Sequence, residues 1–307
     1  MNKLINKIIK TLKNPLWIIV FLNNRGIHLF SDEKYLKILY RLQFQNKLDF
    51  KKVKTFNEKL QWLKLYDRNP LYTKLVDKYE VKKYIASIIG EKYIIPTIGI
   101  YDNFDDIDFK KLPNQFVIKC THDSGGVIIC KDKSKFNQKH VKKKIEKLLK
   151  KNFYYVGREW PYKNVQPRII IEEYMEDKKT KELRDYKFFC FNGIPKFMFL
   201  ATDRQINQTK FNFYDMNFKL LPFTQGHPND FRKISKPKKF DEMVELSKQL
   251  SKNIPHVRVD FYEINGNVYF GEMTFYHYSG FTKFNPKDWD EKLGKYIDLS
   301  LVNKNEK

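Results

Sequence analysis

Cysteine, arginine and long apolar runs are all scarce in this chain of 307 residues. The three cysteines form no C-x-x-C pair and their number is odd, so neither a disulfide framework nor a zinc site is expected. The main apolar run, residues 16–22, is too short to span a bilayer and no small-residue cleavage site follows it. We therefore expect a cytoplasmic protein whose N-terminal run is either a packed helix or a contact with the inner face of the membrane.

The positive charge is large, but lysine carries most of it. The formal net charge is +23, and only 9 of the 59 basic residues are arginine. Such charge can attract nucleic acid, anionic substrates or a lipid surface, but lysines spread over the whole chain are most simply a solvated surface. We therefore predict no specific nucleic-acid partner, and peripheral membrane contact through the N-terminus stays open.

Hydrophobic periodicity predicts a helical N-terminal region followed by grouped strands. Residues 55–58 (TFNE) form a capping box that begins a helix ending near residue 67. Short strands are predicted from residue 97 onward, with no Gly/Ser linker or internal repeat between them. Strands grouped with helices between them predict an α+β fold. Further helices are predicted over residues 78–89, 137–151, 241–253 and 288–302.

A strand that ends in Lys119 is followed by a small polar loop with two glycines, residues 120–126 (CTHDSGG), and then by a second apolar strand. Glycine lets the backbone approach an anion closely, and successive loop amides can cradle phosphate oxygens. Lys119 is expected on the same face as Val117. An ordinary hairpin with a Gly-Gly turn explains the segment equally well, and the P-loop pattern G-x-x-x-x-G-K-[ST] is absent.

Two carboxylates stand in adjacent predicted strands near the C-terminus, Asp260 before the Asn265-Gly266 turn and Glu272 after it. Side chains alternate along a strand, so a strict two-residue turn would put them on opposite faces. An odd loop or one bulge would bring them opposite each other, where they repel unless a cation lies between them. We predict an odd loop or a bulge here, and a Mg²⁺ ion held by both carboxylates; the alternative pairs Asp260 with Arg258 or a lysine.

Residues 169–175 (IIIEEYM) run from an apolar strand into a polar and aromatic stretch. Backbone groups there can bind an adenine edge while Tyr174 or Met175 packs on the ring. A strand end at the surface is the alternative.

The order of these parts resembles the ATP-grasp superfamily and, more closely, the TupA-like ATP-grasp family, named for teichuronopeptide biosynthesis. The match covers about residues 30–300. It implies an ATP-grasp fold, in which two α+β subdomains clasp a nucleotide, over residues 55–302, with an N-terminal helical extension at 1–54 and a tail at 303–307. The segments that carry the closer match are residues 55–62 (TFNEKLQW), 77–79 (DKY), 122–126 (HDSGG), 185–193 (DYKFFCFNG) and 270–275 (FGEMTF).

The resemblance also implies roles for individual residues. Arg258 would steady the transferred phosphoryl group, and Lys187 is counted with it as catalytic. The residues implied to hold Mg²⁺ are Asp260, Glu272 and Thr274, and those near the acceptor substrate are Arg204, Ser279 and Gly280. The residues implied to bind the nucleotide are Lys78, Lys119, His122, Asp123, Ser124, Gly125, Gly126, Glu172, Glu173, Tyr174, Met175 and Asp185.

The implied function is an ATP- and Mg²⁺-dependent carboxylate–amine ligase that acts through an acyl phosphate. The family suggests bacterial surface-polysaccharide or capsule biosynthesis in the cell envelope, with a small-molecule or polysaccharide-precursor substrate. A sugar-nucleotide glycosyltransferase is one alternative, because Asp106-Ile107-Asp108 has the Asp-x-Asp form, although this acidic stretch fits a solvated loop better. An ATP-grasp kinase of a sugar hydroxyl, or a charge-driven nucleic-acid or membrane binder, are others.

Overall fold

The computed structural model describes residues 14–178, 183–203 and 209–302. Helices dominate the N-terminal part, and four more follow later in the chain. The early helices are α1 (Trp17–Asn23), α2 (Asp32–Phe44), α3 (Phe56–Tyr66), α4 (Leu71–Val76) and α5 (Glu80–Ile89). The later ones are α6 (Gln138–Leu149), α7 (Tyr154–Gly157), α8 (Phe240–Leu250) and α9 (Asp288–Gly294).

The strands form antiparallel sheets, which confirms the predicted α+β class. One sheet has the order β1-β4-β2-β3, a larger one β10-β9-β5-β6-β7, and a small one β11-β8. The first six strands are β1 (Thr97–Tyr101), β2 (Phe116–Cys120), β3 (Ile128–Cys130), β4 (Ile169–Glu173), β5 (Asp185–Phe191) and β6 (Ile194–Thr202). The others are β7 (Lys210–Asp215), β8 (Thr224–Gln225), β9 (Val257–Ile264), β10 (Asn267–Thr274) and β11 (Phe284–Asn285).

Local chemistry accounts for the start of α3. The Thr55 hydroxyl accepts a hydrogen bond from the Glu58 amide at 3.2 Å, and the Glu58 carboxylate accepts one from the Thr55 amide at 3.0 Å. These bonds satisfy two backbone donors at the N-terminal end of the helix. The predicted capping box is thereby confirmed.

The four-stranded sheet packs one face against α6, whereas both faces of the five-stranded sheet carry packed aromatic side chains, Phe188 on one and Phe189 on the other. Phe116 and Ile118 of β2 join a core cluster with Val141 and Ile145 of α6. In the larger sheet, Phe188 contacts Phe240 of α8, with ring centroids 5.7 Å apart. Because side chains alternate along a strand, Val117 and Lys119 lie on the free face of the first sheet, as the sequence predicted.

The predicted C-terminal helix over residues 288–302 is wrong in length. Helix α9 ends at Gly294, and a separate 3₁₀ turn follows at Leu299–Leu301. Ile297 between them is 1% exposed, and its carbonyl accepts a hydrogen bond from Lys59 at 2.7 Å. The chain bends because burying Ile297 against α3 outweighs continuing the helix.

The N-terminal extension docks on α7 through polar contacts. Asn23, at the end of α1, donates to the Tyr155 carbonyl at 2.5 Å and accepts from Arg158 at 2.9 Å. Arg158 also pairs with Asp32 at the start of α2. The packed-helix interpretation of this region is therefore supported, although the side chains of Ile18 and Leu29 are exposed. Across the described residues, none of the helices combines the length and apolarity that crossing a bilayer needs.

Candidate active site

The β9–β10 hairpin contains a bulge, one of the two arrangements that the sequence predicted. Asn265 and Gly266 both adopt positive φ, and the strands pair directly on either side of this two-residue turn, Ile264 with Asn267. The register shifts between Phe270 and Glu272, so Gly271 is the extra residue. The shift places Glu272 opposite Asp260, which confirms that the two carboxylates face each other.

Arg258 bridges the two carboxylates. Its guanidinium donates to both oxygens of Asp260 at 2.7 Å and to Glu272 at 2.9 Å, and Lys187 of β5 also bonds Asp260. Burial would raise the pKa of Asp260, but the cations of Arg258 and Lys187 outweigh it and hold the pKa below its usual value. Asp260 is 1% exposed, whereas the Glu272 side chain is 46% exposed. The pair thus joins a buried, ionised acid to one open to ligands.

The donor set of this hairpin fits a magnesium ion. Thr274, two residues after Glu272, donates its hydroxyl hydrogen to the same carboxylate at 3.3 Å. In the part of the chain that the structure describes, no group of three or more His, Cys, Asp or Glu side chains is arranged to hold a metal ion without further ligands. Two carboxylates, a hydroxyl and substrate phosphates are the kind of shell that Mg²⁺ takes, because it uses few protein ligands. The residues therefore suit Mg²⁺ bound together with a phosphorylated substrate.

Lys78 holds the glycine-containing loop after β2. Its ammonium donates to the Cys120 carbonyl at 3.1 Å, and to both the carbonyl and the carboxylate of Asp123. Gly126 allows this arrangement, because a Cβ built there would lie 2.3 Å from the Asp123 carboxylate and its φ is +65°. Ser124 and Gly125 stand exposed at the tip of the loop. The structure thus places Lys78 against the loop, two groups to which the resemblance gives nucleotide-binding roles.

His122 faces away from the loop tip. It is 2% exposed, and its Nε2 lies 3.2 Å from the Leu148 carbonyl and 3.1 Å from the Lys151 carbonyl, at the C-terminal end of α6. Its ring therefore anchors the loop to α6, and a phosphate contact from this residue would come from its backbone.

The loop after β2 and the β9–β10 hairpin line one small cavity. Its walls include Lys78 and Asp123 on one side and Gly271 and Glu272 on the other, with Tyr162 between them. Apolar residues close the rest of the wall: Leu75, Val76, Val81 and Met273. One metal-binding candidate, Glu272, thus meets two phosphate-binding candidates, Lys78 and Asp123, although distant parts of the chain supply them.

Lys119 is bound to Glu172 across the neighbouring strand. The two charged groups lie 2.5 Å apart, and Lys82 of α5 binds the other oxygen of the same carboxylate. Burial would raise the pKa of Glu172, but Lys119 and Lys82 lower it below the usual value. The side chain of Glu172 is thus a counter-ion for two lysines. Sequence reasoning missed Lys82, whose four-residue spacing from Lys78 in a helical region was the available signal.

The remaining nucleotide candidates lie around the end of β4 and the start of β5. Glu173 is exposed, and its amide donates to the Pro96 carbonyl at 3.1 Å. Tyr174 and Met175 are half-buried in the segment that follows β4. Asp185 lies 3.6 Å from Lys187, on the same face of the larger sheet as Asp260. These candidates therefore lie at the end of β4 in the four-stranded sheet and at the start of β5 in the five-stranded sheet.

Comparison with known proteins decides the family. A model of the TupA-like ATP-grasp family matches residues 58–298, most of the chain. The chain belongs to the TupA-like ATP-grasp family. The predicted family, the ATP-grasp fold and the assignment as an ATP-grasp ligase are thereby confirmed. A search of curated proteins finds no match.

Similar solved structures are remote ATP-grasp enzymes. A D-alanine–D-alanine ligase from Helicobacter pylori is 17% identical, with 79% of this chain and 69% of that chain covered and a TM-score of 0.41. The D-cycloserine synthetase DcsG is 14% identical, with coverages of 88% and 79% and a TM-score of 0.40. The ATP-grasp ligase PsnB with Mg and ADP is 9% identical, with coverages of 71% and 57% and a TM-score of 0.37.

The TupA-like motif at residues 55–62 contributes a buried polar stripe to α3. Asn57, Gln61 and Lys64 recur at helical spacing and are each at most 1% exposed. Gln61 donates to the carbonyls of Ser279 at 3.1 Å and Gly280 at 2.9 Å. The stripe therefore fixes the turn that follows β10. The sequence singled out the motif but missed this role, although three polar residues at this spacing in a helix were a visible signal.

That turn is strained and is held by Lys64. Tyr278, Ser279 and Gly280 all have positive φ, which costs about 1–2 kcal/mol for each residue other than glycine. The Lys64 ammonium donates to the Ser279 carbonyl at 2.8 Å and to its hydroxyl at 2.9 Å. Ser279 and Gly280, the substrate candidates, therefore lie in a rigid element beside the hairpin, and Arg204 lies outside the described residues.

A buried acid, Glu159, also interacts with this turn. Glu159 is 6% exposed; burial raises its pKa, while the Lys64 ammonium and the Ser279 hydroxyl oppose the rise. Burial likewise lowers the pKa of Lys64 to about 7, against the attraction of Glu159. Sequence reasoning missed Glu159, because no local pattern links residues 64, 159 and 279.

Proposed function

We propose that this protein uses ATP and Mg²⁺ to phosphorylate a carboxylate to an acyl phosphate, which an amine then attacks to form a carbon–nitrogen bond. The observation that carries the proposal is that Asp260 and Glu272 lie opposite each other across the bulged hairpin, and that Glu272 lines one cavity with Lys78 and Asp123. Opposed carboxylates beside a cationic, glycine-containing loop suit a metal-bound polyphosphate.

In this proposal the chain's own residues supply position and positive charge. Lys78, Lys119 and the loop amides bind the phosphates, while Arg258 and Lys187 neutralise charge that develops on the transferred phosphoryl group. Asp260, Glu272 and Thr274 hold Mg²⁺, which would neutralise charge on the phosphate oxygens. The reaction needs no covalent nucleophile from the protein, because the acceptor carboxylate attacks the γ-phosphorus of ATP and ADP leaves.

ADP release is the direct test. The purified chain is incubated with ATP, Mg²⁺ and a panel of uronic acids and amino acids, each with and without an added amine. We expect the D260N and E272Q variants to lose at least about 100-fold in rate, as is common when a charge-stabilising group is removed. E245Q is a matched control, because Glu245 is an exposed acid on α8 paired with Lys248 at 3.0 Å. Full activity in the D260N/E272Q double variant would refute the site assignment.

The fate of the phosphate separates a ligase from a kinase. Ligation releases free phosphate in step with ADP, whereas phosphorylation of a sugar hydroxyl leaves the phosphate on the product. Phosphate bound to product, with ADP released, would favour the ATP-grasp kinase alternative.

The glycosyltransferase alternative has weaker support. The Asp-x-Asp candidates Asp106 and Asp108 are exposed in a turn around the buried Ile107, and Asp108 pairs with Lys111 at 3.6 Å. That turn lies on the face of the four-stranded sheet that packs against α6, opposite the face that carries Lys119. Thermal-shift measurements with ATP and with a sugar nucleotide distinguish the two classes, since ATP should stabilise the ligase and a sugar nucleotide should not.

The acceptor and the cellular setting are the finer part of the proposal. The family takes its name from teichuronopeptide biosynthesis, which supports a uronic-acid or amino-acid carboxylate in a bacterial surface-polysaccharide or capsule pathway. The exposed Ile18 and Leu29 near Arg25 support a peripheral contact of a cytoplasmic enzyme with the inner face of the membrane. Co-sedimentation with vesicles that contain anionic lipid, compared with neutral vesicles, tests that contact.

A further inference from the structure

The position between the two carboxylates is already filled by a side chain. Arg258 contacts both oxygens of Asp260 at 2.7 Å and one oxygen of Glu272 at 2.9 Å. Mg²⁺ would need some of the same oxygens, at distances of about 2.0–2.1 Å. The guanidinium and the metal therefore compete for one set of ligands.

Charge makes the competition one-sided when no nucleotide is bound. Asp260 and Glu272 carry two negative charges, and Arg258 and Lys187 carry two positive ones within hydrogen-bond distance. Asp185, 3.6 Å from Lys187, adds a third negative charge, so a divalent cation would turn a group with one excess negative charge into a net positive cluster beside a buried carboxylate. The phosphates of ATP would reverse that excess, because they bring several negative charges with them.

Arg258 is also held where it is from a second side. Its other terminal nitrogen donates to Nδ1 of His277 at 2.8 Å, and Arg258 and His277 are 7% and 1% exposed. Burial, with Arg258 and Lys187 close by, lowers the pKa of His277 well below its usual value, so the ring stays neutral and can accept this bond. The guanidinium thus lies where a metal would bind, and its bond to His277 can persist when its contacts with the two carboxylates are broken.

We propose that Arg258 occupies the metal position in the nucleotide-free protein, so that the divalent ion binds only together with the nucleotide whose phosphates draw Arg258 away. This inference rests on the proposed function. Arg258 then has two tasks in sequence: it keeps Asp260 ionised and the hairpin closed before binding, and it contacts the transferred phosphoryl group afterwards. The hairpin consequently rejects free metal without any change in its ligands.

The inference predicts that removing Arg258 strengthens metal binding. MnCl₂ alone, whose Mn²⁺ prefers oxygen ligands as Mg²⁺ does, is titrated into the full chain without nucleotide and followed by electron paramagnetic resonance. We expect the R258M variant to bind Mn²⁺ at least about tenfold more tightly than the wild type, because one positive charge next to the ligands is lost. R258K should fall between them, since one ammonium cannot bridge both carboxylates.

Two controls locate the effect. R168M removes an arginine that also pairs with two acids, Asp77 at 3.0 Å and Glu80 at 2.9 Å, away from the hairpin, and should leave Mn²⁺ affinity unchanged. Adding D260N to R258M should return the affinity to the wild-type value. Should R258M misfold by circular dichroism, the wild type and R258K still decide the matter.

Wild-type, R258K and R258M proteins with equal Mn²⁺ affinity would overturn the inference, as would tight Mn²⁺ binding by the nucleotide-free wild type. Failure of the proposed function is visible separately. If the ATP-dependent part of that function is wrong, a non-hydrolysable ATP analogue will not bind the wild-type protein, whatever the metal titration shows.

Discussion

Replacing Lys64 by methionine is expected to destabilise the fold strongly. The ammonium donates to Gln61 Oε1, the Gly157 carbonyl, and the carbonyl and hydroxyl of Ser279, at 2.7–2.9 Å, and it is the counter-charge of the buried Glu159. Methionine fills a similar volume but supplies no donor and no charge. Breaking a buried charge pair on one side costs about 3–5 kcal/mol, a large share of the roughly 5–15 kcal/mol that keeps a domain folded.

Urea unfolding at pH 7 measures this cost, with K37M as the matched control. Lys37 is an exposed helical lysine paired with Glu33, so its loss should change the free energy of unfolding by no more than about 0.5 kcal/mol. The double variant K64M/E159Q isolates the electrostatic part. Glutamine at position 159 removes the uncompensated acid, so the double variant should recover about 1–3 kcal/mol relative to the sum of the single changes.

The hydrogen bonds to the Tyr278–Gly280 turn are not recovered in the double variant, which should therefore stay less stable than the wild type. If K64M unfolds at the same urea concentration as K37M, the buried network contributes nothing measurable and the reasoning is wrong. Strict additivity of K64M and E159Q would likewise show that the two charges do not interact.

Two further predictions concern pH and packing. Burial raises the pKa of Asp67 from 3.8 to about 6, against a hydrogen bond from Tyr72 at 3.2 Å, so the folded state binds a proton more tightly than the unfolded state. The free energy of unfolding of the wild type should therefore fall by about 1–3 kcal/mol as the pH rises from 3.8 to about 6, and that of D67N should not. Urea titrations across this range measure both, and the same pH dependence in the two proteins would refute the shift. Gly294→Ala should cost about 2–3 kcal/mol, because its Cβ would lie 2.3 Å from the Lys54 carbonyl oxygen, which cannot move freely. Thermal unfolding tests it: because Gly294 does not have a positive φ, backbone strain is not the cause of a loss there, and an unchanged Tm would refute the packing argument.

Local sequence determined most of the secondary structure. Alternation gave strand β1 its observed bounds, Thr97–Tyr101, and the Thr55/Glu58 pair marked the start of α3 correctly. The Asn265-Gly266 turn and the two acids around it predicted an odd loop or a bulge, because side-chain alternation across a strict two-residue turn would put the acids on opposite faces; the structure has the bulge. These features depend on neighbours within about ten residues, and such neighbours are visible in the sequence.

The tertiary structure alone decided how the charges are paired. Lys78 binds Asp123 across 45 positions, Lys119 binds Glu172 across 53, and Lys64 holds Ser279 across 215. No periodicity reports such pairs, because each depends on how sheets and helices pack together. The sequence therefore specified which acids and bases exist and on which strand face they stand. Packing determined which of them neutralise one another.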